Sequence, residues 1–461
     1  MTHQIVNAPT NTVDLEDGRE ERTMPADQAS FEDEKKIGPQ PLVDAFGDEE
    51  FAEVKYKTLK WWQCGILMVA ETVSLGVLSL PAAVAGLGLV PSIIILVGLG
   101  MVATYTGYVI GQFKWRYPQV CNMADAGEVM MGPFGRELLG IAQMLFLIFI
   151  MASHLLTFTV AMNSITSHGT CSIVFGVVGL VVSFICSLPR TLQNMSWLSY
   201  VSFISIFSAV MITMIAMGIQ EPGNVVQATV QTSLFQGFTA VTNIVFAFSG
   251  HAAFFGLMAE LKDPRDYPKA ICLLQGLDIS LYVLAAVVIY RYGGPNVASP
   301  ALGSAGPVVS KVAYGIALPT IIIAGVINGH IAFKYVYVRI FRGTDRMHKR
   351  DWVAVCSWIG IGLSLWIIAW IIAEAIPVFS NLLSLITALF ASWFTYGLSG
   401  IFWLYMNWGV YFSSWRKMVL TAFNLLNVGI GACLCGLGLW VSGKAIHDNP
   451  SSASFSCTPS N

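Results

Sequence analysis

The sequence has 461 residues, of which 55% are apolar and 11% charged, less than half the roughly 25% charge of soluble domains. That balance points to a membrane protein, and no strongly basic segment calls for a nucleic-acid partner. Residues 1–53 hold 14 of the 27 acidic groups and 4 of the 25 basic ones, so a tail about ten charges negative precedes a mildly basic body.

Taken in chain order, residues 1–54 read as an acidic, disordered cytoplasmic tail. The tail lacks the apolar run of a signal peptide. It is a candidate contact for regulators, and Lys35 and Lys36 are candidate modification sites. A helix crossing the hydrocarbon core needs about 20 mainly apolar residues, and the uncharged runs after Lys55 give eleven such spans. Trp61 to Phe113 is interrupted only by Glu71 and holds two helices turning near Leu89-Val90-Pro91-Ser92. Leu138 to Pro189 holds two more, turning at His168-Gly169-Thr170. Single spans follow near Ser196–Ile219, Phe235–Ala259, Ala270–Tyr290 and Pro307–Phe333. The last three lie near Trp352–Ala373, Val378–Met406 and Met418–Gly443.

Lysine and arginine accumulate in cytoplasmic loops. With the N-terminus inside, 22 of the 25 basic residues fall on that side and only Arg291, Lys311 and Lys444 fall outside. One missed helix would invert every later loop, so the asymmetry supports the span count. Residues 444–461 then form an extracytoplasmic tail. Its Cys457 and the loop residue Cys171 share the outer face as candidates for one disulfide. Most of the cysteines read as small buried hydrophobes, and they lack metal-ligand spacing.

Two spans carry helix-breaking residues. Ser74, Gly76, Ser79 and Pro81 interrupt the first, and Ser249, Gly250 and His251 sit at the middle of VFAFSGHAAFFG in the sixth. Each opens a five-helix half, at about 61–220 and 234–407. Breaks in corresponding positions of two halves are the sequence mark of a midplane binding site in secondary transporters. Exposed amides there hold a carboxylate and freed carbonyls an ammonium group, which together suit a zwitterion.

The stretches ETVSLGVLSLPAAVAGLGLVP, TGYVIGQFKWRYP and VFAFSGHAAFFGLMAELKDPRDYPKAI resemble the amino acid/auxin permease family of the amino acid–polyamine–organocation superfamily. They are most similar to fungal neutral amino acid permeases of the methyltryptophan-resistance type, and the likeness covers about residues 55–443. The resemblance implies an all-α membrane protein with the leucine-transporter-like fold: two inverted five-helix repeats with helices 1 and 6 broken, and an eleventh helix at about 418–443. It further implies import of neutral, aliphatic or aromatic amino acids coupled to an ion gradient. The coupling ion is the proton, with Na⁺ as the alternative, and no other cofactor or metal is implied. The backbone around Ser74, Leu75, Gly76 and Val77 would meet the substrate from one side, and Phe246, Ala247, Phe248, Ser249 and Gly250 from the other. The same resemblance favours the plasma membrane of a fungus, with the vacuolar membrane as the alternative.

An ionisable group at membrane depth is expensive and is retained for transport or relay. Glu71 therefore either takes up the coupling proton, shapes the substrate or cation site, or makes a structural hydrogen bond to a facing helix. Asp278 and His251 are further proton-coupling candidates, while His154 and His330 read as packing histidines. For either phenylalanine alone, helix packing explains the residue as well as substrate contact does. No HxxxH, DDxxD or GxSxG pattern supports a membrane enzyme. A substrate sensor acting through the acidic tail and a vacuolar exporter of the same fold fit the same residues.

Overall fold

The computed structural model describes residues 57–189, 195–220, 226–341, 351–448 and 454–457. The acidic tail with Lys35 and Lys36, and the basic residues Lys55, Arg190 and 342–350, lie outside these. The described residues are helical, with one isolated bridge between Leu59 and Leu261. Ten helical stretches are long and apolar enough to cross a membrane, and a shorter apolar helix stands at Ser172–Ser187. Large apolar side chains such as Ile94, Met101, Ile215 and Val308 are exposed on the outside of the bundle, as lipid-facing surfaces require.

The helices are α1 (Trp61–Leu87), α2 (Leu89–Arg116), α3 (Met123–Thr166), α4 (Ser172–Ser187) and α5 (Met195–Gln220). Next come α6 (Leu234–Ala247), α7 (His251–Ala259), α8 (Tyr267–Gly293), α9 (Pro307–Phe341) and α10 (Trp352–Ala375). The tenth span is α11 (Phe379–Ile386), a π-helix over Thr387–Gly397 and α12 (Leu398–Met406), and α13 (Trp415–Asp448) closes the series. The most central is α1, packed against α5, α6 and α8.

Three local features depart from the sequence expectations. The first turn is a single residue, Gly88, at φ +89°, so Leu89 to Ser92 already belong to α2. Glycine is required there twice over, by the positive φ and because a Cβ would lie 2.6 Å from the Thr229 Cα. The third span begins as a short helix from Met123, bends at Gly132 (φ +63°) and continues from Pro133.

The third departure is a correction. The segment Ser74–Pro81 does not break α1, which runs unbroken for 27 residues with Pro81 inside it. Proline removes one amide donor and crowds the carbonyl four residues back, at about 3 kcal/mol in an isolated helix. Burial of α1 against its neighbours outweighs this local penalty. The small residues serve close packing instead: a Cβ on Gly76 would stand 2.8 Å from the Ala247 Cα. Ser79 turns its hydroxyl back to donate to the Gly76 carbonyl at 2.9 Å.

The segment 454–457 lies against the ends of α4 and α10. Cys171 and Cys457 form a disulfide with Cα atoms 4.4 Å apart. Phe455 N–H donates to the Glu374 carbonyl at 3.3 Å, and Ser454 Oγ donates to the Ala375 carbonyl at 3.0 Å.

Candidate functional site

The sixth span does break. Helix α6 stops at Ala247, α7 starts at His251, and Phe248, Ser249 and Gly250 lie between them outside regular helix. The interruption is anchored on both sides. Tyr282 of α8 donates its hydroxyl to the Ala247 carbonyl at 2.8 Å, which answers one of the acceptors a helix end leaves open. Gln143 of α3 donates to the Ala252 carbonyl at 3.3 Å. Across the break stands α1: a Cβ on Gly250 would come within 2.6 Å of Thr72 Cγ2, so glycine sets this approach.

A small cavity of about 30 Å³ lies at this crossing, room for about two waters. Its lining comes from Glu71, Thr72 and Leu75 of α1, Phe146, Ile150 and His154 of α3, Phe246, Ser249 and Gly250 at the break, and Asn328 of α9. Phe146 is backed by Phe390 and Phe394 of the π-helical segment, with ring centroids 6.1 and 5.7 Å away.

Of the residues expected from sequence, the cavity gathers Glu71, Leu75, Phe246, Ser249 and Gly250. Ser74, Gly76, Val77, Ala247, Phe248, His251 and Asp278 stand outside its lining. Gly76 and Ala247 form the packing contact between α1 and α6. Phe248 faces Tyr282, at 5.4 Å between ring centroids, and a Cβ on Gly100 of α2 would lie 3.1 Å from the Phe248 ring. The two phenylalanines thus divide, Phe246 lining the cavity and Phe248 packing. His251 turns to α2, with Nε2 donating to the Ala103 carbonyl at 2.9 Å and 3.1 Å from Thr106 Oγ1.

Glu71 lines the cavity and makes no hydrogen bond or ion pair among the described residues, so the structural bond considered for it is not formed. Asp278 is fully buried in α8 behind the cavity wall. Thr72 joins the two places, since it lines the cavity and its hydroxyl lies 2.8 Å from Asp278 Oδ2 and 3.0 Å from the Met68 carbonyl. A hydroxyl has one hydrogen. It donates to Asp278 when that carboxylate is ionised; when Asp278 is protonated, the acid donates to Thr72, which turns its own hydrogen to Met68. The other oxygen, Asp278 Oδ1, has no partner.

Sequence reasoning missed Thr72, Phe146, Ile150 and Asn328 and read His154 as packing. His154 is in fact fixed, with Nδ1 2.8 Å from the Ile321 carbonyl, but it lines the cavity as well.

Comparison with known proteins accords with this arrangement. The N amino acid transport system protein of Neurospora crassa is 37% identical over 436 residues, which cover 91% of this chain and 92% of that protein. The crystal structure of MhsT in complex with L-phenylalanine matches at TM-score 0.53 and 14% identity, covering 84% of this chain and 100% of MhsT. A substrate-bound, outward-open Na⁺-coupled sialic acid symporter matches at TM-score 0.51 and 12% identity, covering 83% of this chain and 90% of that one. At such identities these two show a shared fold. The pattern of the transmembrane amino acid transporter protein family matches residues 57–443, and the chain is an integral membrane protein belonging to that family.

Proposed function

We propose that the protein is a secondary active transporter that imports neutral amino acids by proton symport and alternating access. The observation that carries this reading is the cavity at the broken sixth span, where a lone carboxyl group, Glu71, shares the lining with Ser249 and Gly250 of the break. Freed backbone groups at such a break suit the two charges of a zwitterion. Leu75, Phe146, Ile150 and Phe246 offer apolar walls for the stem of an uncharged side chain. The remaining backbone around Ser74, Gly76, Val77, Ala247 and Phe248 frames the site, and Glu71 is the first candidate for the coupling proton. Asp278 follows through its link to Thr72, and His251, turned to α2, comes third. The related transport protein of Neurospora supports an amino acid as cargo.

In this reading the short helix α4 completes eleven spans arranged as two inverted repeats of five plus one. The N-terminus lies in the cytoplasm and the C-terminal tail outside, at the plasma membrane. The test is uptake of labelled neutral amino acids by transporter-deficient cells, with and without a proton uncoupler. Saturable uptake that collapses with the uncoupler is expected. Its absence from protein shown to be at the cell surface would overturn the reading.

A further inference from the structure

The polar part of the cavity wall carries a chemical bias. Asn328 directs its Nδ2 to the Ala324 carbonyl at 2.9 Å, and His154 directs Nδ1 to the Ile321 carbonyl at 2.8 Å. A carbonyl oxygen only accepts, so both contacts fix the assignment: the asparagine spends one of its two amide hydrogens, and the histidine ring carries its proton on Nδ1. What remains is the Asn328 Oδ1 with the second hydrogen of its Nδ2 and, on the neutral ring, the His154 Nε2: two acceptors and one donor, the complement of a carboxamide's two N–H groups and carbonyl.

The two side chains belong to one patch. Gly325 lies three residues before Asn328, on the same face of α9, and a Cβ on it would come 2.9 Å from the His154 Cβ. Helices α3 and α9 pack along each other, and both residues line the cavity. The patch is the part of the lining contributed by the third and eighth spans. A substrate whose charged end sits at the break extends its side chain toward this wall.

From this geometry we infer that the preferred cargo is a neutral amino acid with a primary carboxamide side chain, glutamine or asparagine, whose two amide N–H groups meet Asn328 Oδ1 and His154 Nε2. This rests on the transport reading above and narrows its substrate class. The aliphatic stem of such a side chain still meets Leu75, Phe146, Ile150 and Phe246. An apolar side chain of equal length leaves both buried acceptors unpaired, and a site built to hydrogen-bond its ligand discriminates strongly against analogues lacking the group.

Methionine is the matched control, since it has the length of glutamine and no N–H. In transporter-deficient cells expressing the full chain, unlabelled glutamine is expected to inhibit uptake of a labelled neutral amino acid at a concentration about tenfold or more below that required of methionine. In Asn328→Leu the ratio of the two inhibitory concentrations should move toward one. If that variant does not reach the membrane, thermal stabilisation of the purified wild-type protein gives the same ratio, with glutamine raising the midpoint at lower concentration than methionine. Saturable inhibition by methionine as potent as that by glutamine overturns the inference and leaves the transport reading standing. No saturable uptake of any neutral amino acid overturns both.

Discussion

Two spans cross at the cavity with opposite backbones. Helix α1 runs from Trp61 to Leu87 without interruption, even through Pro81, whereas the sixth span gives up regular helix at Phe248, Ser249 and Gly250. Regular helical hydrogen bonding is therefore interrupted on one side of the site only, where Phe248 and Ser249 turn their N–H groups to the Val245 and Phe246 carbonyls at 3.1 and 3.0 Å. The other side meets the cavity with side chains: the Glu71 carboxyl, the Thr72 hydroxyl and Leu75. Division of labour follows from this asymmetry, since α1 supplies chargeable chemistry and the sixth span supplies oriented dipoles.

The largest expected effect comes from pushing the two spans apart. Gly76→Val places a branched side chain where even a Cβ stands 2.8 Å from the Ala247 main chain. Overpacking of this kind costs about 1–3 kcal/mol, occasionally more, and uptake and detergent melting temperature should both fall. Gly250→Ala meets the end of the Thr72 side chain instead, so its loss should be smaller. Equal tolerance at both positions would mean that the crossing is looser than described.

Next in size is the chargeable side of the comparison. Under proton symport, uptake by the wild type rises as external pH falls, because the outward-facing acid is loaded more often. In Glu71→Gln that acid is gone, so accumulation should decline to simple equilibration and the pH dependence should flatten, while downhill exchange persists. Concentrative, pH-dependent uptake by this variant would move the proton role elsewhere, with Asp278 first in line. Thr72→Val removes the hydroxyl that serves Asp278 Oδ2 and leaves a buried carboxyl group without a partner on either oxygen. Such loss costs about 1–3 kcal/mol, and Thr72→Ser should restore most of it, as read by melting temperature.

The smallest effect concerns the end of the chain. Cys457→Ser removes the tether to Cys171 but keeps the bonds of Ser454 and Phe455 to the end of α10. Uptake should change little, while protease cuts the C-terminal segment faster. A large loss of uptake would show that the tether bears on the transport cycle.

Much of this was legible in the sequence because it depends on local rules. Long apolar runs separated by charge mark the spans, and Ser249-Gly250-His251 in an apolar run marks the backbone break of the sixth. The Ser74–Pro81 segment carries similar residue types, yet its fate depends on neighbours: burial of α1 keeps it helical, and Gly76 is small because Ala247 is close. His154 and Asn328 were illegible for the same reason. A lone polar residue in an apolar helix looks alike whether it faces a packed neighbour or a cavity, and only the pairing of α3 with α9 distinguishes the two. The π-helical segment behind Phe146 also escaped notice, since Thr387–Gly397 reads as ordinary apolar helix.

The central claim is that substrate sits where α1 faces the break in the sixth span. The most direct measurement is the rate at which a small thiol reagent modifies Ser249→Cys, followed at that site by mass spectrometry, with and without saturating neutral amino acid. Substrate in the cavity should slow modification at this position several-fold and leave the exposed Cys272 unaffected. An unchanged rate at position 249, under conditions where the same amino acid saturates uptake by the same variant, would contradict the account.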